Sequence, residues 1–246
     1  MIGYCNQLIS VIRIEITKTG KKDILIIIED LDKIPLQVAK DIFMDHANQL
    51  VQLKCNMIYT YPVGLYYNIG FNIIRNYFSD VIELPMIKVR KQDGSEYEEG
   101  IALMKQIAEV RMEKALFVNE RILREMILSS GGVLRDLFRM IKDGAGIAEY
   151  RQKTSIGDGE YNYALKAMEN DYRHSIADFS DDGKFISVAE FYDALAALAK
   201  NSDKKPDNTE ILMLLRQNLC VLSYNDENWS DVHPVVKIIL KEKGLI

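Results

Sequence analysis

Residues Ile24-Leu25-Ile26-Ile27-Ile28-Glu29-Asp30-Leu31-Asp32-Lys33 set five β-favouring aliphatics directly before a knot of carboxylates. A strand with no polar alternation is one buried on both faces, the condition of a parallel sheet inside α/β layers. The carboxyl ends of such strands are where open α/β sheets bind ligands. Two adjacent acids there can hold a magnesium-bound water network and orient an attacking water. The bland alternative is a solvated loop in which Asp32, ahead of Pro35, caps the next helix.

Those acids must be positioned by neighbouring elements. Leu8 to Ile16 fits either a helix or a β-rich approach, and Thr19 to Asp23 reads as a turn. After Pro35, apolar residues from Leu36 to Val51 recur at helical spacing to about Lys54. A second buried strand is expected over Cys55–Tyr61, stopped by Pro62, and a third over Val81–Leu84, stopped by Pro85. Strand, helix, strand, helix, strand is a βαβ succession.

Beyond an exposed loop over 88–100, the chain from Ile101 to about Tyr150 reads as helical. The expected break is Ser129-Ser130-Gly131-Gly132, with Ser130 or a glycine as cap and Val133, Leu134, Leu137, Met140 and Ile141 inward. A turn at 154–160 leads into a helix ending near Ser175. The last sixty residues form a separate unit: a helix over Val188–Ala199, a polar linker over Asn201–Asn208, a helix over Thr209–Asn218, a hairpin with its turn at Asn225–Asn228, and a last helix opened by Pro234. That order is close to a winged-helix arrangement.

Composition narrows the classes. Hydrophobic residues at 48% with 27% charged residues predict a buried core and exclude disorder. No apolar run, Ile24 to Ile28 included, approaches the ~20 residues of a membrane span. Arg13, Glu15 and Lys18 break any signal-peptide order. Three scattered cysteines (Cys5, Cys55, Cys220) argue against a disulfide framework, so a cytoplasmic location is expected. His46, His174 and His233 lie too far apart for a local zinc motif. A net charge of −5 opposes nonspecific nucleic-acid binding by the whole chain.

The acidic strand end resembles the Walker B segment of the P-loop ATPases of the AAA+/STAND group. The resemblance implies a magnesium-shell role for Glu29, where that group usually has Asp, and a water-orienting role for Asp30. Thr60, ending the second strand, matches the place of the sensor-1 residue. Gly131-Gly132-Val133-Leu134-Arg135 resembles the sensor-2 segment, which turns an arginine toward the phosphates; Arg139 follows one turn later. Arg75 lies roughly where an arginine finger would. The implied architecture is a partial P-loop α/β core over 1–87 with a parallel sheet and flanking helices, an all-α lid over 101–176, and a winged-helix-like α+β domain over 185–246. ATP and Mg2+ are the implied cofactors.

One departure is large. The phosphate-cradling G-x-x-x-x-G-K-[ST] is matched by no window; Gly20-Lys21 and Gly183-Lys184 lack both the earlier glycine and the following Ser/Thr. In the family that loop precedes the Walker B strand, so it would belong upstream of Met1. The chain alone is therefore expected not to hydrolyse ATP. It is either the carboxy-terminal part of an ATPase that switches its winged-helix module, or a non-catalytic adaptor on a degenerate scaffold.

Other motifs weigh less. Asp178 to Gly183 begins like a calcium loop, but Ala189 occupies the twelfth position and Glu190 comes one late, so a turn capping the next helix is expected. A two-metal nuclease site at Glu29, Asp30 and Asp32 lacks further convergent ligands. Asp226, Glu227 and Asp231 on the hairpin oppose phosphate contact, which favours a protein partner or the protein's own other domains over DNA. Lys237, Lys241 and Lys243 keep DNA in view. Trp229 and Tyr224 are expected to pack the hairpin on its helices. Nucleotide-dependent oligomers are a further implication of the resemblance.

Overall fold

The computed structural model describes residues 1–246 except 83, 85, 182, 202, 204–208 and 225–228. The chain divides into two units, Met1–Glu83 and Leu84–Ile246, with mixed α/β content.

In the first unit, helix α1 (Ile2–Lys18) settles the ambiguity of the amino-terminal apolar residues. Arg13 on α1 bonds both the Asp23 carboxylate (2.9 Å) and the Lys54 carbonyl (2.8 Å), fixing the approach to the sheet. Strands β1 (Leu25–Ile28) and β2 (Asn56–Tyr59) pair in parallel, from Leu25 opposite Asn56 to Ile28 opposite Tyr59. Between them run α2 (Leu36–Lys40), a π-turn (Asp41–Asp45) and α3 (Ala47–Leu50); α4 (Val63–Tyr66) and α5 (Phe71–Tyr77) follow β2. Ala39, Phe43, Leu65, Phe71 and Ile74 form the core under the sheet.

Two expectations fail here. Val81, Ile82 and Leu84 lie outside any strand, and Glu83 and Pro85 lie outside the described residues. Val81 packs on the margin of the core, while Ile82 and Leu84 are exposed. β1 is also not buried on both faces. Helices cover one side only, and Leu25, Ile27 and Ile58 on the other are about half exposed (54%, 52% and 49%).

The second unit begins with an extended segment carrying the Arg90–Glu96 bridge. Helices α6 (Glu98–Glu109), α7 (Glu120–Ser129), α8 (Leu134–Tyr150) and α9 (Asp158–Ser175) follow. The helical stretch breaks additionally at 110–119, where Asn119 caps α7 by accepting from Ile122 N. Ser130 does not cap α8: the residue before the helix is Val133, and no side chain caps it. Beyond α9 comes a short hairpin of β3 (Phe179–Asp181) and β4 (Lys184–Ile186) where only a turn was expected. Asp178 does cap the next helix, accepting from Val188 N at 2.7 Å.

The tail comprises α10 (Val188–Lys200), α11 (Glu210–Gln217), the antiparallel pair β5 (Val221–Tyr224) and β6 (Trp229–Val232), and α12 (Pro234–Glu242). Much of the polar linker falls outside the described residues, as does the hairpin turn with Asp226 and Glu227. One hydrophobic core runs from Ile101 and Met126 through Leu137, Met168 and Leu195 to Val236 and Leu240, so it is continuous across the expected lid and tail segments. No helix among the described residues is long and apolar enough to cross a membrane.

Glu160 on α9 gives this unit an acid-sensitive point. Its carboxylate is 1% exposed and bonds Lys153 (2.8 Å), Arg151 (2.8 Å) and Gly157 N (3.2 Å). Lys153 and then Arg151 hold its pKa at about 2, below the usual 4.5. A depressed carboxylate stabilises the fold above the unfolded value and loses that contribution as pH falls toward the folded value. Stability should therefore decline between about pH 4.5 and 2, and Glu160→Gln should lower the melting temperature at pH 7 while flattening that acid limb. An unchanged pH profile of melting would refute the assignment.

Candidate functional site

The β1 ladder ends by handing its acids to the tip of β2. Thr60 N donates to the Ile28 carbonyl (3.1 Å), continuing the ladder by one residue. Asp30 then turns the chain in the left-handed region (φ 67°), which Asn and Asp tolerate better than other side-chain-bearing residues. The turn closes through Lys33 N to Asp30 O (3.2 Å) and a tight 3-10 turn over Leu31–Lys33. Leu31 N, which the turn would otherwise leave without a partner, donates to Thr60 Oγ1 at 3.1 Å. Glu29, Asp30 and Thr60 are therefore neighbours at the carboxyl end of the parallel pair. Asp32 does not cap the next helix: α2 starts after Pro35 with no side-chain cap.

The carboxylates of Glu29 and Asp30 are exposed, and Asp30 Oδ1 meets Lys33 Nζ at 2.5 Å. Such an exposed pair is worth at most about 1 kcal/mol, so Asp30 can exchange Lys33 for another cation at low cost. Hard carboxylate oxygens suit the water shell of Mg2+, which keeps most of its waters. Among the described residues no three His, Cys, Asp or Glu side chains converge as a direct metal cage. Outer-shell contact is what this pair can offer.

Below the tip, the aromatic cluster fixes β2. Tyr59 packs edge-on to Phe43 (6.3 Å) and Phe78 (5.9 Å), its hydroxyl donating to Leu50 O, and burial pushes its phenol pKa up. Arg75 lies over the rings of Phe71 (5.4 Å) and Tyr66 (5.9 Å). The guanidinium is stacked on two rings within its own unit.

Arg135 belongs to the second unit. It stands on the first turn of α8, with its side chain 72% exposed and its guanidinium 3.7 Å from Asp136. Arg139, on the same face, pairs with Asp171 of α9. The preceding turn is held hard from both sides. Gly131 (φ 62°) and Gly132 (φ 89°) are left-handed, and a Cβ on Gly132 would stand 1.7 Å from the Ile87 carbonyl oxygen.

Sequence reasoning missed the polar cluster behind this turn. Asp136 Oδ2 accepts from Tyr172 OH (2.6 Å) and lies 3.4 Å from His233 Nε2, which also meets Ser130 O at 3.1 Å. Val235 N donates to His233 Nδ1 (3.2 Å), so the ring proton belongs on Nε2. The Tyr172 and His233 rings stack at 4.5 Å. Desolvation raises the Asp136 pKa, but the bonds from His233 and Tyr172 outweigh it and hold the carboxyl below its ordinary value. The available signal was Asp136 itself, a charge at core spacing with Val133, Leu137 and Met140 on an amphipathic helix.

On the tail, Lys237 pairs with Asp231 (2.7 Å) and Lys243 lies over the Tyr192 ring (4.6 Å). Two of the three lysines considered for DNA contact therefore have intramolecular partners. Trp229 stacks on Tyr224 at 4.4 Å and is 2% exposed; the two cluster with Leu222 and with Val133 ahead of α8, not with the core of the tail's own helices. No protein-family model matches this chain. No curated protein sequence matches it either.

Proposed function

We propose that this chain works as the carboxy-terminal part of an AAA+/STAND-like ATPase, in which ATP binding and hydrolysis switch the contacts of a winged-helix-like tail. The observation that carries the reading is the Leu31 N to Thr60 Oγ1 bond (3.1 Å), which couples the polar tip of β2 to the acid turn of β1. A side chain in that position feels any movement of Asp30. The half-exposed apolar face of Leu25, Ile27 and Ile58 also supports a partial sheet, because parallel sheets are ordinarily covered on both faces.

In this reading Glu29 holds the water shell of magnesium, and Asp30 orients the attacking water and accepts its proton. Thr60 reports the state of the acid turn to β2, and Arg135 keeps the sensor-2 role that the resemblance implies. Bound Mg2+ supplies charge neutralisation on the phosphates. The sequence carries no G-x-x-x-x-G-K-[ST], so the phosphate cradle must come from another segment, and the chain alone does not turn over ATP. The same lack favours a second reading, a protein-contact adaptor that keeps the scaffold without the chemistry. In both, the paired state of Lys237 and Lys243 favours a protein partner over DNA.

A ligand at 100 times its Kd stabilises the native state by about 2.7 kcal/mol. At about 2–4 °C per kcal/mol for a protein of this size, the melting temperature should rise by about 5–10 °C. The protein isolated from its native cells, with whatever polypeptide accompanies it, should show that shift with saturating Mg-ATP. An unchanged melting temperature would leave the adaptor.

A further inference from the structure

We propose that the outer edge of β1 is a homodimer seam, at which two copies of this chain pair Leu25–Ile28 antiparallel about a two-fold axis and join their sheets into one of four strands. Ile24 to Ile28 are five consecutive aliphatics, and none of them is buried. Ile28 O accepts from Thr60 N at 3.1 Å, so the backbone groups of Ile26 and Ile28 face β2. Those of Leu25 and Ile27 therefore face outward, because successive residues of a strand turn their backbone groups to opposite sides. Among the described residues β1 pairs with β2 alone, and nothing bonds the outward groups. A two-stranded sheet is marginal by itself, and an unpaired edge is a template for another strand. Edges are commonly blunted by a charge or a proline; Ile24–Ile28 holds neither.

Charge decides which strand the edge takes. The run begins at Lys21 and Lys22 and ends at Glu29 and Asp30, and all four are exposed. A strand with a basic start and an acidic end is complementary to itself in the reverse direction. With Ile26 opposite Ile26 of the second copy, Leu25 stands opposite Ile27 and Ile24 opposite Ile28, and both outward residues of each copy exchange backbone bonds. Lys22 then stands opposite Asp30 of the second copy, and Lys21 lies diagonal to its Glu29 on the same face. Asp23 comes opposite Glu29, but Arg13 already offsets Asp23 at 2.9 Å.

The register is specific. Moving the axis by one residue sets Asp23 against Ile27 in one direction and Leu25 against Glu29 in the other. The outer edge of β2 has no such pattern, since that strand runs from Asn56 to Tyr59 and is followed by Thr60-Tyr61-Pro62 without an acid. An antiparallel seam also tolerates water on one face, which suits the half-exposed Leu25, Ile27 and Ile58. The seam needs no nucleotide, so a failed Mg-ATP shift leaves it standing.

Sedimentation velocity of the 246-residue chain over a concentration series should show a 28.2 kDa monomer giving way to a dimer of twice that mass. Amides of Leu25 and Ile27 should exchange at least about tenfold more slowly in the dimer than in the dilute monomer. Ile27→Lys puts a charge at the seam on an already half-exposed side chain, and should leave a monomer with the wild-type helical signal. Lys21→Glu sets like charges on the diagonal and should raise the dimer Kd at least about fivefold; Glu29→Lys in the same chain should recover most of that loss. A monomer at every concentration overturns the seam, as does a dimer that Ile27→Lys leaves intact. Equal protection of the two amides in the monomer overturns it too, because the edge is then covered from within the chain. So does a different polypeptide that accompanies the chain from its native cells and displaces the dimer. If Ile27→Lys does not fold, the charge variants decide, and absence of rescue overturns the pairing.

Discussion

Gly132→Ala is expected to destabilise the 84–246 unit by about 4 kcal/mol. Two costs add. The new Cβ would meet the Ile87 carbonyl oxygen at 1.7 Å, and backbone, unlike the end of a flexible side chain, cannot swing aside. Relieving such a clash costs about 1–3 kcal/mol in a packed site. The residue's φ of 89° adds about 1–2 kcal/mol once a side chain is present. At about 2–4 °C per kcal/mol, melting of this unit should fall by roughly 8–16 °C, followed through Trp229, which lies within it. Gly146→Ala is the matched control. That glycine is exposed on α8 with nothing within 4 Å of the added carbon, so the unit should gain about 0.5–1 kcal/mol. If both alanines behaved alike, the turn would not be clamped as described.

The same contrast shows what the amino-acid sequence makes legible. Val188–Ala199 and the Pro234 helix were readable because their apolar residues recur at helical spacing and begin at recognisable start signals, whereas the helix expected from Leu36 to about Lys54 is divided into α2, a π-turn and α3 and stops at Leu50. β1 was readable in place and type but not in burial. Whether Leu25 and Ile27 are covered depends on which helices pack the sheet, and no local pattern carries that. Val81–Leu84 looked like a strand because three of its four residues are apolar, yet its contribution is one valine on the edge of the core. The β3–β4 hairpin escaped because three-residue strands are too short to show a period. Gly131 and Gly132 were noticed as a break, but their purpose is close approach: Ile87, Leu222 and Pro234 arrive from distant parts of the chain.

Sites follow the same rule. The resemblance brings Glu29, Asp30 and Thr60 together, and the parallel pairing of β1 and β2 places their ends side by side. Asp136, Tyr172 and His233 come together only through the packing of α8, α9 and α12, and no sequence spacing joins them. A buried carboxylate with a buried histidine is costly unless all its bonds are made. Tyr172 donates to Asp136, and His233 Nε2 lies against both Asp136 and the Ser130 carbonyl, so this cluster ties the start of α8 to the start of α12.

Asp30→Asn is the substitution with the largest expected effect on chemistry. In a protein that carries a G-x-x-x-x-G-K-[ST] loop ahead of residue 1, it should lower ATP turnover by about 10³-fold while leaving Mg-ATP binding in place. The loss comes from the missing base. An amide can still hydrogen-bond to water, but it cannot accept the proton released as that water attacks. The fold should tolerate the change: asparagine is at home at the φ of 67° found at this turn, where alanine would be strained. The exposed pair with Lys33 would be lost, at a cost of about 1 kcal/mol or less. In the proposed ATPase, binding would rest on the phosphate loop and on Glu29 with its magnesium shell, none of which the substitution touches. A melting curve within a few degrees of the parent, together with collapsed turnover, would assign Asp30 to the chemical step. Turnover at the parent rate would remove Asp30 from that role and return the acid turn to a solvated loop held by Thr60.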